Sequence, residues 1–346
     1  MGKGNLWKRF TLCMICILLL FCSSCADKRV YVTTFDQKYL FSLGNADVTV
    51  SEYNTILLEI QRQYEAYYQE ILGDDIWNRE IEEGISFAEY VKENIVLDEV
   101  ITLELLQMLA EELEITLTEE EQKTAGKAAA DYMERAGEET VSYCGSSLEL
   151  IQQLYEKYVI AEKVIAYYTE QANLEVSENE ARAIRIQMFS IADAETAKKV
   201  SDALEAGDSF QEVSEDFGNE ELKEYNVVWG ELTEEIEEVV FSLAQGECSP
   251  VLETENGYCI IYCLSDYLAD ITEGNRQNII RQRIYDAWFS EVRQMRQDLK
   301  LNINESEWKH IRMAENKDAE SCFFQIYESY FGEAGLQNCK FGDIEG

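Results

Sequence analysis

The sequence predicts an α+β protein, and three observations carry that prediction. Residues 49–170 repeat apolar side chains at helical spacing. Two short stretches, 183–189 and 257–264, alternate or run apolar as strands do. Residues 274–300 then form one long amphipathic helix.

The elements follow in chain order. Lys3, Lys8 and Arg9 precede a short apolar run from Thr11 to Phe21, and Ser23, Ser24 and Cys25 close it. A basic start, a greasy core and small residues at the cut make a secretory signal. The run is too short to cross a bilayer, which takes about 20 residues. Small residues directly before a cysteine resemble the lipobox of bacterial lipoproteins, which implies diacylglycerol on Cys25. A plain secretory signal or an uncleaved anchor is the alternative. Thr49-Val-Ser-Glu52 is a capping box opening the first helix, along which Leu57, Ile60, Tyr64, Tyr67, Tyr68 and Ile71 recur. Ser86-Phe-Ala-Glu89 opens a second, with Val91, Ile95, Leu105, Leu109 and Leu113 as its buried candidates, and Thr118-Glu-Glu-Glu121 a third. Leu150, Leu154, Tyr158, Val164, Ile165 and Tyr168 mark a fourth.

After Ser177-Glu-Asn-Glu180 the texture changes. Ile184, Ile186 and Met188 share one strand face, and Arg185 and Gln187 the other. A helix from Ala194 to Leu204, a short second helix after Gly207-Asp-Ser-Phe210, and a third carrying Val239, Val240 and Leu243 come next. Gly246 turns into the last strand, Gly257 to Leu264. The long helix follows, with Ile280, Ile284, Trp288, Val292, Met295 and Leu299 on its apolar face. It is net basic in an acidic chain, so it is expected to pack on the acidic N-terminal helices. The role of the aromatic segment 323–331 near the end is not legible from its pattern.

Composition limits the function. The 346 residues carry 29 basic and 68 acidic side chains, a formal charge of −39 that becomes −42 without the leader's three basic residues. Nucleic-acid binders need a basic footprint, so that class is excluded. The charge suits solubility and basic or cation-rich partners. Beyond Cys25 lie Cys144, Cys248, Cys259, Cys263, Cys322 and Cys339. Their spacing matches neither a disulfide framework nor a zinc site, although Cys322 and Cys339 are a candidate pair. With His310 the only histidine, hydrolytic triads have little to draw on. No cofactor or metal site is expected.

Five short matches in order give a family resemblance. Arg182-Ala183, Gly207-Asp-Ser-Phe210, Phe241-Ser-Leu243, Gly246-Glu-Cys-Ser249-Pro250 and Gly257-Tyr258-Cys-Ile260-Ile261 resemble the parvulin-type (PpiC, rotamase) peptidyl-prolyl isomerases. The wider layout is similar to the PrsA-type and SurA-type envelope foldases. The resemblance implies a helical N-terminal chaperone-like domain, a parvulin-like β-α-β unit with a small antiparallel sheet, and a long returning C-terminal helix. Its boundaries are a signal peptide at 1–24, a lipid-anchored segment at 25–48, the helical domain at 49–176, the parvulin-like unit at 177–268, the C-terminal helix at 269–312 and a tail at 313–346.

The same resemblance implies a proline pocket beside two histidines. The histidine positions fall on Arg185 and Cys259, and the pocket's methionine and phenylalanine on Leu232 and Ile236. Arg185 and Cys259 are expected to be neighbours across one cleft. The bland readings are a solvated Arg185, a small filler at Cys259, and core positions for Leu232 and Ile236. The function implied is a lipid-anchored extracytoplasmic foldase or chaperone of the bacterial cell membrane, binding unfolded or partly folded secreted polypeptides. Two alternatives stay open: an active prolyl isomerase using an apolar pocket without histidines, and a non-catalytic envelope interaction lipoprotein.

Overall fold

A computed structural model describes residues 28–32, 39–73, 75–217, 222–254, 257–315 and 321–332. The leader, Cys25 and Cys339 lie outside them, and with them the lipid-attachment and Cys322–Cys339 readings. Among the described residues no helix is long and apolar enough to cross a membrane. The fold is α+β. The chain divides into two compact units, one running to Ala172 and resuming at Tyr285, the other Asn173–Ile284.

The first unit combines a four-stranded sheet with helices. Strands β1 (Lys28–Val32), β2 (Tyr39–Leu43), β3 (Ala46–Thr49) and β10 (Lys300–Asn304) are ordered β1-β10-β2-β3, with β1 parallel to β10 and the rest antiparallel. Leu40, Phe41, Leu43, Val48, Leu301 and Ile303 bury its apolar side chains. No strand is expected here from the apolar pattern, and Lys300, where that pattern ends the long helix, opens β10 instead.

Helix α1 (Val50–Leu72) opens on the expected capping box: Thr49 Oγ1 accepts from Glu52 N at 3.2 Å, and Glu52 Oε2 accepts from Thr49 N at 2.8 Å. The hairpin of β4 (Glu80–Glu82) and β5 (Ile85–Ser86) leads into α2 (Phe87–Tyr90), a π-helical turn (Val91–Val96) and α3 (Leu97–Glu112). α4 (Glu119–Arg135), α5 (Gly137–Cys144) and α6 (Leu148–Gln171) complete the run. Ser86 and Thr118 both form full capping boxes. Between helices, Lys157 on α6 bridges Glu52 at 2.8 Å and Glu104 on α3 at 2.5 Å. The aromatic segment near the chain's end is helix α13 (Phe323–Phe331). Phe323 stacks on Tyr155 of α6 at 4.3 Å between ring centroids, so this segment is core.

The second unit begins with α7 (Glu178–Ala181) and holds an antiparallel sheet ordered β7-β6-β9-β8: β6 (Ile184–Ile191), β7 (Lys223–Val227), β8 (Leu252–Thr254) and β9 (Gly257–Ser265). One face packs on α8 (Ala194–Ala206) and α9 (Phe210–Phe217) through Phe189, Ile191, Val200, Phe210, Val213 and Ile260. The other packs on α10 (Glu234–Ser242) through Ile184, Ile186, Val227, Val240, Phe241, Cys259 and Ile261. At Gly257 φ is +133°, and a Cβ would stand 2.5 Å from the Ile191 carbonyl oxygen, so the turn into β9 requires glycine.

Helix α11 (Ala269–Asp298) is longer at its start than its pattern suggested. Its N-terminal half ties to the residue just before β6 within the second unit, where Thr272 Oγ1 accepts from Ala183 N at 3.0 Å. Its C-terminal half belongs to the first unit, where Trp288 and Val292 are buried and Arg296 pairs with Asp98 of α3. The short α12 (Glu305–Trp308) follows β10.

Candidate functional site

Strand register decides which residues meet at the face under α10. In an antiparallel pair, opposed residues point the same way and alternate along the strand. Ser190 faces Cys259, Met188 faces Ile261 and Ile186 faces Cys263. On the other side of β6, Ile184, Ile186 and Met188 face Val227, Tyr225 and Lys223 of β7. One surface therefore carries Ile184, Ile186, Met188 and Ser190 with Cys259, Ile261, Val227 and Tyr225.

Leu232 and Ile236 both pack against this cluster, as do Met188, Leu243 and Leu252. Leu232 stands before the N-cap Thr233, outside the helix, so the two residues do not meet by helical spacing. What holds Leu232 is Glu237, itself buried on α10. Its Oε1 accepts from Gly230 N at 2.6 Å and from Leu232 N at 3.1 Å. Glu231 adds a third tie, accepting from Val228 N at 2.9 Å. The loop also carries Trp229, which stacks on Phe241 at 4.3 Å while the Arg182 guanidinium lies 5.5 Å from the same ring's centroid. Trp229 and Tyr225 remain 36% and 42% exposed, so aromatic surface borders an apolar floor.

Arg185 is not part of this face. The expectation that it shares a cleft with Cys259 is overturned, because it is one step out of phase with Ile184 and Ile186. It lies across from Asn226 and donates from Nε to Asn226 Oδ1 at 3.0 Å. The sequence match was anchored at Arg182-Ala183, near the start of a strand that runs on to Ile191. The residue opposite Cys259 comes five positions after Arg185, and an odd shift reverses the face. Ser190 and Glu237 carry no signal of their own in the sequence. The alternation of β6 already put Met188 with Ile186, but nothing local signalled the pairing with β9 or the loop tie from Glu237.

The chemistry available is narrow. Cys259 is 3% exposed, and burial pushes its thiol up from the ordinary range, so it stays protonated near neutrality. His310 belongs to the other unit. Among the described residues no group of three or more His, Cys, Asp or Glu side chains is placed to hold a metal ion. Ser249 of the Ser-Pro motif is structural: its hydroxyl accepts from Ile261 N at 3.0 Å and donates to the Pro250 carbonyl at 2.7 Å. Met188, Leu232 and Ile236 are half-buried at the border of this apolar cluster.

The family profile described as PPIC-type PPIASE domain matches residues 159–265. The foldase protein PrsA of Caldanaerobacter subterraneus is 25% identical over 255 residues, covering 69% of this chain and 76% of that one. Solved structures that resemble the chain loosely include a PrsA peptidylprolyl isomerase from Bacillus cereus. It is 18% identical with a TM-score of 0.37, over 70% of this chain and 95% of that one. A SurA-like chaperone of Campylobacter jejuni is 11% identical with a TM-score of 0.30, over 78% of this chain and all of that one. Residues 159–265 therefore match a PPIC-type domain. Over 69% of its length the chain is similar to a PrsA foldase.

Proposed function

We propose that this protein is an extracytoplasmic foldase that holds partly folded secreted polypeptides, tethered to the bacterial cell membrane by lipid on Cys25. The observation that carries the reading is the face under α10. An apolar floor of Met188, Leu232 and Ile236 bordered by exposed Tyr225 and Trp229 suits apolar client segments, while the buried thiol of Cys259 supplies no proton relay. The net charge of −39 favours basic segments and keeps a client-loaded protein soluble.

A substoichiometric to equimolar amount of purified protein is expected to suppress light scattering by a chemically unfolded secreted protein on dilution. Scattering unchanged at a several-fold molar excess overturns the reading. Cys25→Ala is expected to move the protein from the membrane fraction to the soluble extracytoplasmic fraction, and unchanged membrane association counts against the tether.

The second reading is prolyl isomerisation on the same face. Rotation about an X-Pro bond breaks no bond, and a pocket that grips the ring and favours the twisted amide accelerates it by differential binding. Met188, Leu232 and Ile236 favour this reading as the ring's seat. A refolding reaction limited by proline isomerisation decides it: a rate increase lost in Ile236→Asp supports catalysis, and an unchanged rate at micromolar protein excludes it.

A further inference from the structure

The sheet of the second unit has two edges, and they differ. β8 offers three residues, whereas β7 offers five, about 17 Å of extended backbone. β7 pairs only with β6, and among the described residues no strand and no backbone hydrogen bond lies along its outer side. Amides and carbonyls of a strand point alternately to either side, so about half of those in β7 face outward. Lys223, Glu224, Tyr225 and Asn226 are all exposed, and only Val227 is buried. Their side chains divide by parity. Lys223, Tyr225 and Val227 lie on the face of Met188, Ile186 and Ile184, and Glu224 and Asn226 on the face of Gln187 and Arg185. Asn226 is engaged by Arg185, whereas Glu224 makes no ion pair among the described residues. Exposed Trp229 continues the aromatic surface just past the strand's end.

We propose that β7 takes up a client segment as an added strand, bound through main-chain hydrogen bonds and chosen for apolar residues alternating with lysine or arginine. An array of unpaired amides and carbonyls at strand spacing fits an extended backbone. Side chains of the added strand fall alternately on the two faces of the sheet. Those on one face stand beside Tyr225 and continue the floor of Ile186 and Met188, where aliphatic groups are covered. Those on the other stand beside Glu224, where a cation finds its partner. A second copy of this chain is the other strand-shaped occupant, and charge opposes it: −39 would meet −39, while a basic segment is drawn in. Lys223, at the first position, is the kind of charge that keeps an edge from pairing indiscriminately. The use made of the edge rests on the client-holding reading.

Labelled, capped peptides of alternating valine and lysine, about twelve residues long to overreach the strand, test the edge on the full chain. One is unmodified, one is N-methylated at every valine and one at every lysine. All carry the same charge, so electrostatic adsorption is common to them. In an added strand the amides of one parity bond to β7 and those of the other face away. One methylated peptide is therefore expected to bind roughly tenfold more weakly in fluorescence anisotropy, through about two or three lost hydrogen bonds, while the other keeps its affinity. Equal affinities for all three, or equal losses in both methylated forms, overturn the proposal. Hydrogen–deuterium exchange places the contact: outward amides of residues 223–227 are expected to exchange roughly tenfold more slowly with saturating unmodified peptide. Unchanged exchange there overturns it. So does an edge already protected in the free chain together with a dimer in sedimentation, which assigns β7 to a second copy.

Glu224→Lys, at an exposed position, checks the choice of sequence. It should weaken the valine–lysine peptide roughly fivefold and favour a valine–glutamate peptide in its place. The same preference in variant and parent overturns the pairing of the client cation with Glu224. Light scattering by the unfolded secreted protein, followed on the same samples, separates the two ideas. Scattering suppressed with no peptide-dependent protection of β7 removes the added strand alone. Protection of β7 with scattering unsuppressed removes the client reading alone.

Discussion

Glu237→Ala is the sharpest perturbation of the site. Its carboxylate accepts from two backbone donors, Gly230 N and Leu232 N, and sits 7% exposed beneath the loop. A hydrogen bond to a charged group contributes about 1.5–3 kcal/mol. The freed donors lie at the rim, where water replaces part of the loss, so the pair together is expected to cost about 2–3 kcal/mol rather than the full sum. That corresponds to roughly 30- to 150-fold faster exchange for the amides of Gly230 and Leu232 if the loop opens locally. The pairing between β6 and β9 should keep its protection. Glu237→Gln retains one acceptor without charge and should fall between parent and alanine variant. Leu232 would no longer be pinned to the floor, so affinity for an apolar peptide should fall as well. If exchange at Gly230 and Leu232 is unchanged in Glu237→Ala, the carboxylate does not hold the loop and the argument for a built floor fails.

Three further outcomes are expected. Gly257→Ala forces a Cβ toward the Ile191 carbonyl at a backbone angle that side chains avoid, and should destabilise the second unit by about 1–3 kcal/mol in denaturant unfolding. Lys157→Met leaves Glu52 and Glu104 without their shared cation and should cost about 3–5 kcal/mol, with part regained in the double variant with Glu104→Gln. Native-state alkylation at pH 8 should spare Cys144, whose thiol is pushed up to about 12, leaving roughly one molecule in ten thousand as thiolate. Modification mapped by mass spectrometry should appear there only after unfolding, and rapid labelling of the folded chain would refute its burial.

The sequence disclosed what is local. Thr49, Ser86 and Thr118 cap helices because a hydroxyl and a glutamate three residues on solve the same donor problem wherever they occur. The alternation of β6 and the glycine turn into β9 were legible for the same reason. What stayed hidden depends on partners distant in the chain. β1 shows no clear signal in isolation because its place is beside β10, and α13 reads as a tail until Tyr155 and Tyr158 supply its other wall. The placement of Arg185 failed on parity: one residue of slip in matching a strand changes its face, and only the pairing with β9 fixes the count.

The position of β10 between β1 and β2 has a consequence for assembly. Lys28 is paired with Lys300, so the sheet of β1, β2 and β3 cannot be completed until residues 300–304 have been made. Asn173–Ile284, by contrast, is continuous and its strands join neighbours within one segment. A chain made from its N-terminus therefore leaves β2 and β3 with an open edge while the interior segment already finds its shape. Long-range closure is slow and leaves such edges open to wrong pairing.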